Sequence, residues 1–131
     1  MKTFAEILDR IRNIRFAENF DMIVAIANGG IIPAALLNQR LGVEIQLLRI
    51  NLRDVNQQPL YDKPQLVRPI DFDFQGKTIL LVEDRVKTGA SLSFARSLLA
   101  AEARLVRTFA VNGKADYSLY DEDCFRFPWI L

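Results

Sequence analysis

The chain contains no histidine and only one cysteine, Cys124, among its 131 residues. Without histidine it cannot assemble a Ser-His-Asp hydrolase, a His general base or the usual zinc constellations. A single cysteine excludes an internal disulfide, and we expect Cys124 to be a small packed residue rather than a nucleophile. No apolar run reaches the ~18 residues of a membrane span. The net charge of +1, with no basic run, gives no indication of a nucleic-acid partner.

Half of the residues are apolar, which is enough to bury a real core in a chain of this length. The N-terminal segment is amphipathic and charged, without the apolar block of a signal peptide. We therefore expect one domain over residues 1–131, in the cytoplasm, with no membrane and no nucleic acid among its partners.

Apolar patterns predict alternating helices and strands along the chain. Thr3 to Glu6 fits a capping box that opens a helix with Phe4, Ile7, Leu8, Ile11 and Ile14 on one face. Strands are expected at Met22–Ala27, Val43–Leu52, Thr78–Val82, Leu105–Val111 and Cys124–Ile130, and two further helices at Ile31–Leu41 and Ser91–Ala101. Such alternation predicts an α/β fold, a Rossmann-like, open, mostly parallel twisted sheet flanked by helices.

Residues 79–91 carry the most informative pattern. Four apolar residues lead directly into two carboxylates, Glu83 and Asp84, which would lie at the carboxyl end of a buried strand, where open α/β sheets bind ligands. The turn Lys87, Thr88, Gly89, Ala90, Ser91 then precedes a helix and would direct backbone N–H groups at an anion. Carboxylates beside a phosphate-binding turn suit a sugar phosphate. Taken singly, a Thr-Gly pair before a helix is more often a plain cap, and two adjacent acids are usually just solvated.

This segment resembles the 5-phosphoribosyl-1-pyrophosphate (PRPP) signature of type I phosphoribosyltransferases. The resemblance implies that Glu83 and Asp84 bind the ribose hydroxyls and that residues Lys87 to Ser91 bind the 5′-phosphate. A second loop, Ala27, Asn28, Gly29, Gly30, follows the first predicted strand and is similar to the pyrophosphate-binding loop of that family. Adjacent glycines allow a backbone to approach a ligand closely. The family often has Arg or Lys where Asn28 stands here.

The segment from about 51 to 69 contains three prolines and has weak periodicity, although loops this long are uncommon in compact domains unless they are functional. The resemblance implies a flexible lid that closes over PRPP and excludes water. Arg53 and Lys63 are the cations expected to meet the leaving diphosphate, and a solvent-exposed hairpin with incidental charges is the alternative.

The C-terminal segment, about 112–131, is expected to form a minimal hood over the base. Lys114 opens a Lys-Ala-Asp-Tyr stretch similar to one that meets the exocyclic oxygen of 6-oxopurines in hypoxanthine/guanine enzymes. The alternating Phe125, Phe127 and Trp129 would share one strand face, with core packing the ordinary interpretation for Phe127. The resemblance makes Phe125 the residue that stacks on the base, with Arg126 and Trp129 also in the base-binding segment.

Lys87 and Arg85 depart from the family pattern. Lys87 occupies a position where the purine enzymes place an Asp that handles the proton at purine N7, and a protonated lysine cannot accept that proton. Arg85 replaces a residue that is usually aliphatic, and it is expected to add a second cation beside the acid pair.

The resemblance implies Mg²⁺-dependent transfer of the phosphoribosyl group from PRPP to a purine, most specifically a 6-oxopurine, in nucleotide salvage. No direct metal ligands are assigned to the protein, because Mg²⁺ would be held mainly by PRPP and water. A homodimer is expected. Two alternatives stay open, namely a PRPP- or nucleotide-sensing module with reduced turnover and a transferase for a non-purine acceptor.

Overall fold

A computed structural model describes residues 2–51 and 64–131 of the chain. Six strands form one sheet in the spatial order β3-β2-β1-β4-β5-β6. The strands are β1 (Met22–Ala27), β2 (Glu44–Asn51), β3 (Gln65–Leu66), β4 (Thr78–Arg85), β5 (Leu105–Asn112) and β6 (Tyr117–Tyr120). Every neighbouring pair is parallel except β2 with β3. The predicted α/β sheet is confirmed.

Helices cover both faces of the sheet. They are α1 (Phe4–Asn13), α2 (Ile31–Leu41) and α3 (Ala90–Ala100). The hydroxyl of Thr3 accepts from the backbone N–H of Glu6 at 3.1 Å, so the predicted N-cap of α1 is present. Pro33 occupies the first turn of α2, and Gly42 ends that helix at a φ of 63°. Among the described residues, no helix is both long and apolar enough to cross a membrane.

Residues of the central strands alternate between two apolar cores. Ile23, Ala25, Leu80 and Val82 pack toward α1 and α2, whereas Met22, Val24, Ile79 and Leu81 pack toward α3. All eight are fully buried. Burial on both faces explains why β1 and β4 read as unbroken apolar runs.

The C-terminal residues correct one prediction. No strand forms over Cys124–Ile130; after β6 the chain runs irregularly and ends in a turn in which the Ile130 N–H bonds the Phe127 carbonyl at 3.1 Å. Pro128 lies inside that turn and lacks the N–H that a strand would use. The sixth strand is instead Tyr117–Tyr120, which lies parallel to β5. We call residues 121–131 the C-terminal tail.

Residues 64–66, at the end of the predicted lid, form ordered structure. Gln65 and Leu66 make an antiparallel pair with Asn51 and Ile50 of β2. Residues 52–63 of the predicted lid, Arg53 and Lys63 among them, lie outside the described residues.

Candidate active site

The carboxyl ends of β1, β2 and β4 bring together most of the polar residues that the sequence indicates. β4 extends three residues beyond its predicted end, so Glu83 and Asp84 form part of the strand. The loop Ala27–Gly30 follows β1, the adjacent strand of the sheet. Open α/β sheets bind ligands at this edge.

Gly29 lies directly against Asp84. A Cβ atom at Gly29 would lie 2.6 Å from the Cγ and Oδ1 atoms of Asp84. At Gly30 a Cβ would lie 2.4 Å from the carbonyl oxygen of Val82. Any larger side chain would collide with the acid pair or with the backbone of β4, which is the physical reason for adjacent glycines here. The Ala27–Asn28 peptide bond is cis.

The Glu83 carboxyl has a pKa well above its usual range. Burial, and secondly the charge of neighbouring Asp84, raise the pKa of Glu83 to about 8. The backbone N–H of Asp84 donates to Oε1 of Glu83 at 3.1 Å, and the N–H of Arg85 donates to Oδ1 of Asp84 at 2.6 Å. Near neutral pH the site therefore holds less than two full negative charges, and it can take up or release a proton when a ligand binds.

The turn before α3 combines exposed polar residues with a left-handed glycine. Lys87 and Thr88 are exposed, and the Thr88 hydroxyl accepts from the N–H of Ala90 at 3.2 Å. Gly89 has a φ of 83°, a backbone conformation that L side chains rarely adopt. Apart from that of Ala90, which Thr88 accepts, the first-turn N–H groups of α3 such as that of Ser91 have no intrahelical acceptor and are available to an anion.

Arg85 contacts the C-terminal tail. Its Nη2 donates to the carbonyl oxygen of Phe125 at 2.5 Å, and its Cζ lies 4.7 Å from the ring centroid of Phe127. Among the described residues, Arg85 forms no ion pair with Glu83 or Asp84, and its position beside the acid pair stays a prediction as far as ligand binding is concerned. A guanidinium has a long reach and five donors, so it can connect the end of β4 to the tail.

The tail residues assigned to the base lie in an aromatic cluster. Phe125 is half-buried and packs edge-on against Tyr120 and Phe127, with centroid separations of 5.3 and 5.4 Å. Phe127 is buried, which confirms the core interpretation, and Trp129 stacks on it at 5.0 Å. Arg126 is exposed and donates to the carbonyl of Ile130 at 3.3 Å. Phe125 and Phe127 are thus both connected to the acid pair through Arg85.

Lys114 lies in the four-residue connection between β5 and β6. Together with Gly89, Arg96 and Asp116 it lines a cavity of about 310 Å³ beside α3. Asp116 fixes this connection, because its backbone N–H donates to the Thr108 hydroxyl and its carboxylate accepts from the Thr108 N–H, both at 2.9 Å. The cavity therefore extends from the turn before α3 to Lys114.

Arg49 is a functional candidate that the sequence analysis did not single out. It lies near the carboxyl end of β2, in register with Ala27 of β1, and its Nη1 donates to Oδ1 of Asn28 at 2.8 Å. A cation near the carboxyl end of a predicted strand was the available signal in the sequence.

Comparisons with known proteins indicate a family. Residues 2–128 match the model of the phosphoribosyl transferase domain. The chain is 34% identical over 117 residues to a xanthine-guanine phosphoribosyltransferase of Chromohalobacter salexigens, covering 85% of this chain and 69% of that protein. It is 31% identical over 110 residues to an orotate phosphoribosyltransferase of Sulfurisphaera tokodaii, covering 83% of this chain but only 50% of that protein.

A solved structure has a similar fold. The purine phosphoribosyltransferase of Pyrococcus horikoshii superposes with a TM-score of 0.79 over 98% of this chain and 91% of that chain. Sequence identity to it is 23%. At that identity the likeness concerns the fold alone.

Proposed function

The chain belongs to the phosphoribosyltransferase family, and on that premise we propose that it transfers the 5-phosphoribosyl group from PRPP to a ring nitrogen of a purine. In this reaction the bond from ribose C1 to the diphosphate breaks and a bond from C1 to the base nitrogen forms. Pyrophosphate leaves, and the proton of the base nitrogen must be taken up. The product is a nucleoside 5′-monophosphate.

One observation carries the proposal, namely the contact between Gly29 and Asp84. It brings the loop that would hold the diphosphate against the carboxylate that would hold the ribose. A ligand that combines a diphosphate with vicinal hydroxyls, as PRPP does, can contact both groups at once. A ligand that lacks either part would leave one side of the site unused.

Different groups of described residues bind different parts of the substrate in this proposal. Glu83 and Asp84 accept hydrogen bonds from the ribose hydroxyls, and the turn Lys87–Ser91 binds the 5′-phosphate with backbone N–H groups and the Lys87 charge. The loop Ala27–Gly30 binds the diphosphate. Rate enhancement then comes from holding C1, base and leaving group in line and from electrostatic stabilisation, without a covalent intermediate.

Mg²⁺ is part of the proposal as a companion of the substrate. In the part of the chain that the structure describes, no group of three or more His, Cys, Asp or Glu side chains could hold a metal. Two adjacent carboxylates supply only part of the coordination shell of a hard cation. The remaining positions suit diphosphate oxygens and water. The metal would neutralise the leaving diphosphate, and Asp84 and Glu83 are the residues positioned to contact its shell.

A 6-oxopurine is the proposed acceptor. Lys114 is exposed beside the cavity that begins at the phosphate turn, so its ammonium can reach an exocyclic oxygen. Phe125 offers an aromatic surface at the tail. Among the relatives, one is a xanthine-guanine enzyme and another an orotate enzyme, so a non-purine acceptor is the competing substrate class.

Nucleotide salvage in the cytoplasm and assembly as a homodimer complete the proposal and derive from the family resemblance.

A sensing module is the alternative function, and Lys87 is the observation that favours it. Lys87 is exposed at the turn before α3 and can bind phosphate, but it cannot accept the purine proton. A protein with this arrangement could bind PRPP or a nucleotide and signal its presence without turnover.

Asp84→Asn tests the site. The change keeps the shape but removes a charged acceptor, which is worth roughly 1.5–3 kcal/mol to a hydroxyl hydrogen bond. Wild type at 100 times the dissociation constant of Mg·PRPP should gain ~2.7 kcal/mol of stability, and the variant should lose most of that gain at the same ligand concentration. Thermal unfolding with and without Mg·PRPP measures both.

Asp121→Asn is a matched control, because Asp121 is exposed and follows β6. We expect it to leave the PRPP response unchanged. Equal stabilisation of Asp84→Asn and wild type by Mg·PRPP would show that the acid pair does not bind the ribose. Pyrophosphate release with a panel of purine and pyrimidine bases then identifies the acceptor.

A further inference from the structure

The loop Ala27–Gly30 contains no charged side chain of its own. A diphosphate carries several negative charges, and backbone N–H groups offer only partial charges to meet them. Within residues 2–51 and 64–131, the cationic side chain that hydrogen-bonds this loop is Arg49, through Oδ1 of Asn28. Arg49 belongs to β2, so its charge reaches the loop from the adjacent strand.

The backbone of Arg49 is fixed on both sides. It pairs with Ala27 of β1, and its carbonyl oxygen accepts from the N–H of Val67 at 2.9 Å on the other side. The side chain is only partly buried and Asn28 is exposed. A hydrogen bond in such a place contributes little to folding stability, but it orients a guanidinium before any ligand arrives.

Charge is distributed asymmetrically across this edge of the sheet. The strand order β2-β1-β4 puts Arg49 on one side of the loop and Asp84 on the other. A ligand seated on the loop would turn its hydroxyls toward Asp84 and its phosphates toward Arg49. The bond to Asn28 uses one of five guanidinium N–H donors, and the planar fork of the group suits phosphate oxygens.

We propose that Arg49, oriented by Asn28, binds the diphosphate of the substrate and supplies the positive charge that the glycine loop lacks. The inference depends on the proposed function, since it assigns one more residue to the same site. It predicts that Arg49 recognises the diphosphate and contributes nothing to recognition of the ribose 5-phosphate part.

Arg49→Met removes the charge and keeps an unbranched side chain. We expect the dissociation constant of Mg·PRPP to rise about tenfold to a hundredfold, whereas that of ribose 5-phosphate changes less than about twofold. Ribose 5-phosphate carries a hydroxyl at C1 where PRPP carries the diphosphate, so the comparison tests recognition of that group. Arg104→Met, at an exposed position just before β5, is the matched control and should alter neither value. Titration calorimetry and ligand-dependent unfolding give the constants.

Asn28→Lys in the Arg49→Met background separates charge from loop position. A cation placed on the loop itself should recover at least part of the PRPP affinity. No recovery, an equal loss of both ligands in Arg49→Met, or undiminished PRPP binding by that variant would each overturn the inference. Wild type that binds neither PRPP nor ribose 5-phosphate would overturn the proposed function as well, so the two failures are distinguishable.

Discussion

Glu83 and Asp84 are adjacent along one strand, and the cost of ionising both decides how the site responds to pH. Because the pKa of Glu83 is about 8, its carboxyl carries a proton over much of the neutral range. An ionised carboxylate accepts stronger hydrogen bonds from hydroxyls than a protonated one. Binding of a ribose or a cation should therefore expel the proton of Glu83.

Glu83 makes the unliganded protein less stable as the pH rises. In the unfolded chain its pKa returns to about 4.3, so between that value and about 8 the folded state binds a proton that the unfolded state lacks. The free energy of unfolding should fall across this window by up to ~1.4 kcal/mol per pH unit from this group. The stability that Glu83 contributes is fully present below its unfolded pKa of about 4.3 and is lost above its folded pKa of about 8.

Glu83→Gln should flatten that part of the pH profile, because glutamine does not titrate. Glu102→Gln, at an exposed position after α3, should leave the slope as in wild type. Urea unfolding at a series of pH values measures both. A variant Glu83→Gln with the wild-type slope would assign the pH dependence to other groups.

At the level of helices and strands, the sequence predicts elements that bury both faces or carry clear caps. β1, β4 and α2 follow from apolar runs and from Pro33 and Gly42. The sequence also indicates the acid pair and both glycine loops, which the fold brings together. It cannot indicate the bond from Arg49 to Asn28, since strand pairing between β1 and β2 determines that contact.

β6 was missed for a topological reason. Parallel strands ordinarily need a crossover of a dozen residues or more, whereas residues 113–116 alone connect β5 to β6 here. Gly113 has a φ of 132°, and a Cβ on it would lie 2.5 Å from the carbonyl oxygen of Val86. Such a connection depends on tertiary contacts that no local pattern contains. The aromatic alternation at 125–129 predicted a strand, but Pro128 and packing of the rings against one another produce an irregular tail.

Arg85 connects β4 to that tail, and Arg85→Met should loosen it. The variant loses a charge-assisted hydrogen bond to Phe125 and a cation–π contact with Phe127. We expect a loss of about 1–3 kcal/mol in the free energy of unfolding. Affinity for a purine nucleoside 5′-monophosphate should fall more than affinity for Mg·PRPP, because only the nucleotide has a base for Phe125 to contact.

Urea unfolding and titration with each ligand measure these effects, and Arg104→Met again serves as the control. If both ligands weaken equally, Arg85 supports the whole edge of the sheet and has no particular role at the base. If neither the stability nor the binding changes, the contact with the tail is incidental.

For the whole molecule, the edge of the sheet suits the proposed sugar-phosphate site whether or not the protein turns over. The proposed phosphate loops, the acid pair and the tail would serve binding and catalysis alike, because catalysis by such an arrangement is largely positioning and electrostatics. The proton of the base nitrogen is different, since it has to leave only if the reaction proceeds. The family resemblance implies that Lys87 stands where a carboxylate would take this proton, so the distinction between enzyme and sensor depends on it.

An enzyme with Lys87 must lose the proton to water or use a base that is already anionic. Xanthine is the most acidic of the common oxopurines, so it should be the best acceptor, with a rate that rises with pH as the free base ionises. Lys87→Asp should extend activity to hypoxanthine or guanine at some loss of phosphate affinity. Single-turnover pyrophosphate release from about pH 6 to about pH 9, wild type against Lys87→Asp with all three bases, measures this. Clear binding of Mg·PRPP without pyrophosphate release from either protein at any pH would identify a sensor. In that case even the carboxylate of Lys87→Asp, which can accept the proton of the base, does not give turnover.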